Sequence, residues 1–190
     1  MSALKSQKIE EHKDKKPKNF IVTGRPGSGK STIVMTVAEE MRRRGFVIRG
    51  IATPEVRVKG IRVGFLVRAI DTGEEAIFAS IRYNTPQKIG KYGVDIRIFE
   101  KVAIPALERA FDGDIIIVDE IGKMELLSNT FVKLIYRALD CQKIVVATMG
   151  KGIAHPLESL VRRRKDTKVF FAEPGLAEEI IKNITSYLTS

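Results

Sequence analysis

Eight residues near the start of the chain, Gly24-Arg25-Pro26-Gly27-Ser28-Gly29-Lys30-Ser31, have the types and spacing needed to wrap a phosphate chain, in the pattern G-x-x-x-x-G-K-S. The glycines let the backbone curl until successive N–H groups converge on one anion. Lys30 can reach the β- and γ-phosphates of a nucleotide, and the Ser31 hydroxyl is a ligand for Mg2+. Thr32 follows on the same first helical turn and is counted with the nucleotide-binding residues. The second set reads Ile115-Ile116-Ile117-Val118-Asp119-Glu120-Ile121-Gly122, its Asp119 lying 89 residues beyond Lys30. Its four apolar residues make a central strand that ends in two adjacent carboxylates. Asp119 suits Mg2+, held through a water, and Glu120 can turn toward the γ-phosphate to orient an attacking water or take its proton. The catalytic candidates are therefore Glu120 and Lys30, and the metal candidates are Ser31 and Asp119.

Those residues work only if particular elements deliver them. Phe20-Ile21-Val22 reads as a buried strand directly before the glycines, and residues 30–44 place Ile33, Val34, Val37 and Met41 on one helical face, with Gly45 as a stop. Phe46–Ile51 reads as a further strand. Two runs over Ile61–Tyr83 flank Asp71-Thr72-Gly73-Glu74, an acidic turn that predicts an antiparallel hairpin. Ile96–Phe111 is helical in period, with Pro105 expected to kink or split it. Ile115–Val118 is expected to end as a strand at Asp119. Ser128-Asn129 caps a helix to about Leu139, and Lys143–Thr148 is a strand. A helix over His155–Arg164, a strand over Lys168–Ala172 and a last helix over about Leu176–Leu188 complete the pattern. Strands alternating with helices, interrupted by one hairpin, predict a single three-layer α/β domain over 19–190 with a mixed sheet. Parallel strands put Asp119 and Glu120 at the same sheet edge as the phosphate-wrapping loop, where open α/β sheets bind ligands.

Composition narrows the partners. The 190 residues are 44% hydrophobic and 29% charged, a globular balance, and the lone Cys141 cannot form an internal disulfide. A reducing, cytoplasmic compartment is expected. The chain has no apolar run long enough to span a bilayer, no zinc-type Cys/His spacing, and no apolar core in its first residues of the kind a secretory leader carries. Transmembrane, secreted and zinc-finger classes are set aside. The net charge of +10 favours polyanions. Residues 1–18, with six lysines and three acids, are expected to be a flexible basic tail, and Arg162, Arg163, Arg164, Lys165 and Lys168 form a second basic group. Neither group has the interleaved aromatic residues on which single-stranded nucleic acid stacks, so nucleic acid is possible as a partner but is not favoured.

Beyond the two motifs, the chain resembles the THEP-type nucleoside-triphosphatases, a P-loop family typical of thermophilic archaea and bacteria, with a human cancer-related relative. The likeness is carried by Gly24–Ser31, Thr53-Pro54-Glu55-Val56-Arg57, Gly90-Lys91-Tyr92-Gly93-Val94, Ile104-Pro105-Ala106-Leu107 and Asp119-Glu120-Ile121-Gly122-Lys123-Met124-Glu125-Leu126, with His155-Pro156 in a matching place. It covers about Asn19 to the C-terminus; the basic tail departs from it. The resemblance implies slow, Mg2+-dependent hydrolysis of ATP, GTP, CTP and UTP to diphosphates with broad base tolerance, and a strand order like that of RecA and AAA-type ATPases. Matched to the family's working positions are Lys30, Ser31, Asp119 and Glu120. A surface rich in Lys, Arg and Glu fits a thermophile. A monomer is the favoured state.

Two other activities use similar parts. A nucleotide or small-molecule kinase has the same loop and often an arginine-rich lid, for which Arg162–Lys165 is a candidate; adjacent Asp and Glu at a strand end suit water activation better. A nucleotide-switched module that binds RNA or protein would use hydrolysis as a timer. Further cations that could reach the γ-phosphate are Arg25, Arg57, Lys91, Lys123 and Arg162–Arg164. Glu125 could orient Lys123 or pair with an arginine, Tyr92 could stack on a base or serve the fold, and His155 reads as a helix-start residue.

Overall fold

A computed structural model of the chain describes residues 16–190. In chain order its elements are β1 (Asn19–Gly24), α1 (Lys30–Arg43), β2 (Ile48–Ala52), β3 (Glu55–Val58), β4 (Ile61–Ala69), β5 (Glu75–Ser80), β6 (Lys88–Ile89), β7 (Tyr92–Val94), α2 (Ile96–Ala110), β8 (Ile115–Ile121), α3 (Asn129–Asp140), β9 (Ile144–Gly150), α4 (Pro156–Arg163), β10 (Thr167–Phe171) and α5 (Ala177–Thr189). The strands form one sheet in the order β10-β1-β9-β8-β2-β4-β5-β7-β6, with β3 alongside β4.

The sheet has two halves. From β10 to β2 every pairing is parallel, and from β2 outward through β4, β5, β7 and β6 every pairing is antiparallel. The five parallel strands, counted along the chain, stand in the order 5-1-4-3-2, so β9 separates the strand before the glycine loop from the strand bearing Asp119. Their alternation sorts the core. Phe20 and Val22 of β1 and Ile115 and Ile117 of β8 face α1 and α5, where Ile33, Val37, Ile180 and Ile184 are buried. Ile21, Ile116 and Val118 point the other way, toward α2, α3 and α4. This is the mixed-sheet, three-layer α/β fold.

The α2 layer is keyed by Phe99, which is fully buried with its ring 5.0 Å from that of Phe78 and 5.4 Å from that of Phe131. Pro105 neither splits nor ends α2, which runs unbroken through it. Proline costs its helix one hydrogen bond, but here it lies on the exposed face, where water can take the freed carbonyl, while Val102, Ala103, Ala106 and Leu107 bury the opposite face. Asp95 caps α2 by accepting from the N–H groups of Arg97 and Ile98. The hairpin turn is fastened to α2 by the ion pair Arg109–Asp71 at 2.7 Å.

Of the 1–18 segment, residues 1–15 lie outside the described residues. Lys18 is tied to the domain: its ammonium donates to the carbonyl of Leu139 at 2.5 Å and faces Asp166 at 3.4 Å.

Candidate functional site

Parallel pairing brings four strands to one edge, at Gly24 of β1, Met149 and Gly150 of β9, Asp119 of β8 and Ala52 of β2. The glycine loop closes over this edge. A side chain at Gly24 would put its Cβ 2.6 Å from Ser28 Oγ and 2.9 Å from the carbonyl of Ala172, so the loop turns there only because that position is bare. Gly29 caps α1 in the left-handed region, at φ 86°, and no side chain among the described residues bonds the first-turn N–H groups. Those free donors and the positive end of the helix make an anion seat. Lys30 is buried at the root of the loop and donates to the carbonyl of Arg25 at 3.1 Å. The Ser28 hydroxyl oxygen is buried with no partner among the described residues.

Across the edge, Ser31 Oγ donates to Asp119 Oδ1 at 2.8 Å. The same carboxylate oxygen accepts from the hydroxyl of Thr148, fully buried on the intervening β9, at 2.7 Å. The strand does not stop at Asp119 as the sequence suggested. It continues through Ile121, and its pairing with β9 shifts between Val118 and Ile121, so one extra residue is accommodated on β8. Such a bulge changes where side chains aim. Thr53, just past β2, pins it: the Glu120 N–H donates to Thr53 Oγ1 at 3.2 Å, and the Thr53 hydroxyl donates to the Asp119 carbonyl at 3.2 Å. Burial pushes the Glu120 carboxyl above the usual carboxylate range; the Lys30 ammonium pulls it back, and the charges of Asp119 and Glu55 add to the rise. Lys30, Ser31, Asp119 and Glu120 thus gather at one edge, with the anion seat on one side and a half-buried carboxyl of raised pKa on the other.

The secondary candidates fall elsewhere. Arg57 and Arg62 share Glu55, each with a nitrogen 2.6 Å from one of its carboxylate oxygens. Tyr92 is buried and its hydroxyl accepts from Arg62 at 3.0 Å, so its ring serves the fold. Lys91 lies over that ring at 5.5 Å. Arg25 and Lys123 are exposed. Arg162 pairs with Glu158, Arg163 bonds the carbonyl of Ser159, and Arg164 bridges Asp140 and Asp166. Lys168 donates to the hydroxyl of Tyr187. Of the lid candidate Arg162–Lys165, the three arginines thus have partners within the chain. His155 caps α4, its Nδ1 accepting from the N–H of Leu157. Sequence reasoning missed Thr148, whose only signal was a hydroxyl at the end of an apolar strand, and named Thr53 only within the Thr53–Arg57 segment of the family resemblance, with no role at the site.

A family model described as NTPase matches residues 19–185. The nucleoside-triphosphatase THEP1 of Korarchaeum cryptofilum is 40% identical over 167 residues, 87% of this chain and 84% of that protein. Among solved structures, the crystal structure of THEP1 from the hyperthermophile Aquifex aeolicus superposes with a TM-score of 0.81 at 36% identity, covering 90% of this chain and 99% of the other. The solution structure of a human cancer-related nucleoside triphosphatase gives a TM-score of 0.76 at 30% identity, covering 90% and 97%.

Proposed function

This chain belongs to the NTPase family and is a hydrolase acting on nucleoside triphosphates, and from that premise we propose that it splits ATP, GTP, CTP and UTP to the diphosphate and phosphate, slowly, with Mg2+ and little regard for the base. The bound triphosphate lies along Gly24–Thr32, its β- and γ-oxygens taken by loop N–H groups and the Lys30 ammonium. Glu120 orients a water against the γ-phosphorus. As the water oxygen bonds to phosphorus, the bond to the β–γ bridging oxygen breaks and a water proton passes to the Glu120 carboxylate. Inorganic phosphate and the nucleoside diphosphate leave. The upward push on the Glu120 pKa brings its proton affinity nearer the working pH, as a general base requires.

Ser31 and Asp119 suit magnesium by donor chemistry. A hydroxyl and a carboxylate within 2.8 Å of one another are hard oxygen donors, and two of them leave room for the waters and substrate phosphates that Mg2+ keeps. When bound, the ion supplies positive charge to the phosphate oxygens. The protein is read as a cytoplasmic monomer; no helix among the described residues is long and apolar enough to cross a membrane.

The observation that carries this reading is the convergence at one sheet edge of the uncapped α1 terminus, the Ser31–Asp119 pair and Glu120. The test is phosphate release from the four triphosphates with Mg2+ and with excess EDTA. Release from all four that EDTA abolishes supports it. Release from one triphosphate only, or release that EDTA leaves untouched, contradicts the base tolerance or the metal requirement respectively.

A further inference from the structure

One buried carboxyl beside the site has no part in the scheme above. Glu125 opens the 3-10 turn Glu125–Leu127 that follows β8 and is 4% exposed. The turn folds the chain back on itself: the Leu126 N–H donates to the Gly122 carbonyl at 3.0 Å, and the Ser128 N–H donates to the Glu125 carbonyl at 3.0 Å. Its side chain therefore returns to the end of β8. A Cβ placed on Gly122 would lie 2.5 Å from Glu125 Oε2 and 2.8 Å from Glu120 Oε1, so an oxygen of each carboxyl group fills the room above one bare glycine. No ion pair among the described residues includes Glu125, neither with Lys123 nor with an arginine. Burial, with the Glu120 charge second, pushes its carboxyl up to about 8, so at neutral pH it keeps its proton and is a hydrogen-bond donor in a place where a second anion would repel Glu120.

We propose that Glu125 is a positioning residue for hydrolysis, its carboxyl setting where the Glu120 carboxyl lies by sharing the space above Gly122. The proposal rests on the reading of Glu120 as the group that orients water. Glu125 touches no substrate; it acts through Glu120. A reacting group displaced by about 1 Å costs on the order of 100-fold in rate, so an unsupported Glu120 is sufficient to lower turnover without altering nucleotide affinity.

The experiment uses the full chain and four variants: Glu125→Met, Glu125→Gln, Glu120→Gln and the double variant Glu120→Gln/Glu125→Met. Methionine fills the volume of the glutamate with no polar atom to strand, so the fold is expected to hold, and the melting temperature of each variant checks this. Expected for Glu125→Met is a kcat about tenfold or more below wild type with KM and nucleotide affinity within about threefold. Glu125→Gln, which keeps a donor in place, is expected to recover most of that loss. In the Glu120→Gln background Glu125→Met should cost nothing further, since the group it positions has gone. Wild-type kcat in Glu125→Met overturns the proposal, as does a loss that multiplies on top of Glu120→Gln or one matched by an equal loss of affinity. If Glu120→Gln itself turns over like wild type, the reading of Glu120 has failed; if it is slow while Glu125→Met is fast, only the positioning role has.

Discussion

Gly122→Ala separates what the fold needs from what the chemistry needs. Gly122 does not have a positive φ, so alanine can adopt its backbone conformation. The new methyl would stand 2.5 Å from Glu125 Oε2 and 2.8 Å from Glu120 Oε1. Non-bonded heavy atoms settle at about 3.5 Å or more, so the two oxygens must retreat by roughly 1 Å and 0.7 Å. Both are the ends of side chains and can move, which holds the stability cost near the low end of overpacking, about 1 kcal/mol, or a fall of about 2–4 °C in melting temperature for a domain of this size. The same displacement at a group that orients water lowers turnover by between about 10- and 100-fold. The assay is phosphate release at saturating ATP, beside a thermal melt and nucleotide binding by equilibrium titration. A folded Gly122→Ala protein with wild-type turnover would mean that the displaced group is not the one that reacts.

Three further outcomes are expected. Thr148→Val removes the 2.7 Å bond that steadies Asp119 and should raise the Mg2+ concentration for half-maximal rate by about tenfold, as loss of a partner behind a metal ligand does; an unchanged Mg2+ dependence would count against it. Glu125 holds its proton in the folded state up to about pH 8 and in the unfolded chain only to about its ordinary 4.5, so the stability it contributes is full below the lower value and is lost as pH rises through the upper one. Glu125→Gln cannot ionise, and its melting temperature should fall less than that of wild type between pH 5 and 9; parallel curves would contradict the assignment. Phe99→Ala empties the contact between Phe78 and Phe131 and should cost about 3–5 kcal/mol in urea unfolding, a loss under about 1 kcal/mol meaning that α2 is not keyed there.

The alternation of the fold was legible because its strands and helices bury opposite faces with clean periods: Phe20-Ile21-Val22 and Ile115–Val118 mark parallel strands, and Ile33, Val34, Val37 and Met41 mark α1. The glycine loop was legible for a different reason, since its residue types are dictated by backbone geometry that few other sequences allow. Short strands were harder. β3 alternates Glu-Val-Arg-Val and is followed by Lys59 and Gly60, both at positive φ, a two-residue turn of the type that joins hairpin strands; its residues are mostly exposed, so hydrophobicity did not mark it. Pro105 does not split α2 because a helix tolerates proline where solvent can serve the freed carbonyl. The true end of β8 was hidden because carboxylates look like a strand's end, whereas Thr53 and the bulge against β9 carry the strand past them. Thr148 and Glu125 come to Asp119 and Glu120 through strand order and a tight turn. Strand order is a long-range fact that no local pattern encodes, and the turn after β8 is too short to show a period.

The proposed role of Glu120 is to orient the water that attacks the γ-phosphate. Its most direct test is single-turnover hydrolysis of ATP with Mg2+ by wild type and Glu120→Gln, with nucleotide affinity measured on the same preparations. The variant is expected to bind ATP within about threefold of wild type and to release phosphate at least about 100-fold more slowly, the scale on which a positioned general base acts. Equal rates at equal affinity would contradict it and return the search for the base to the other groups at that sheet edge.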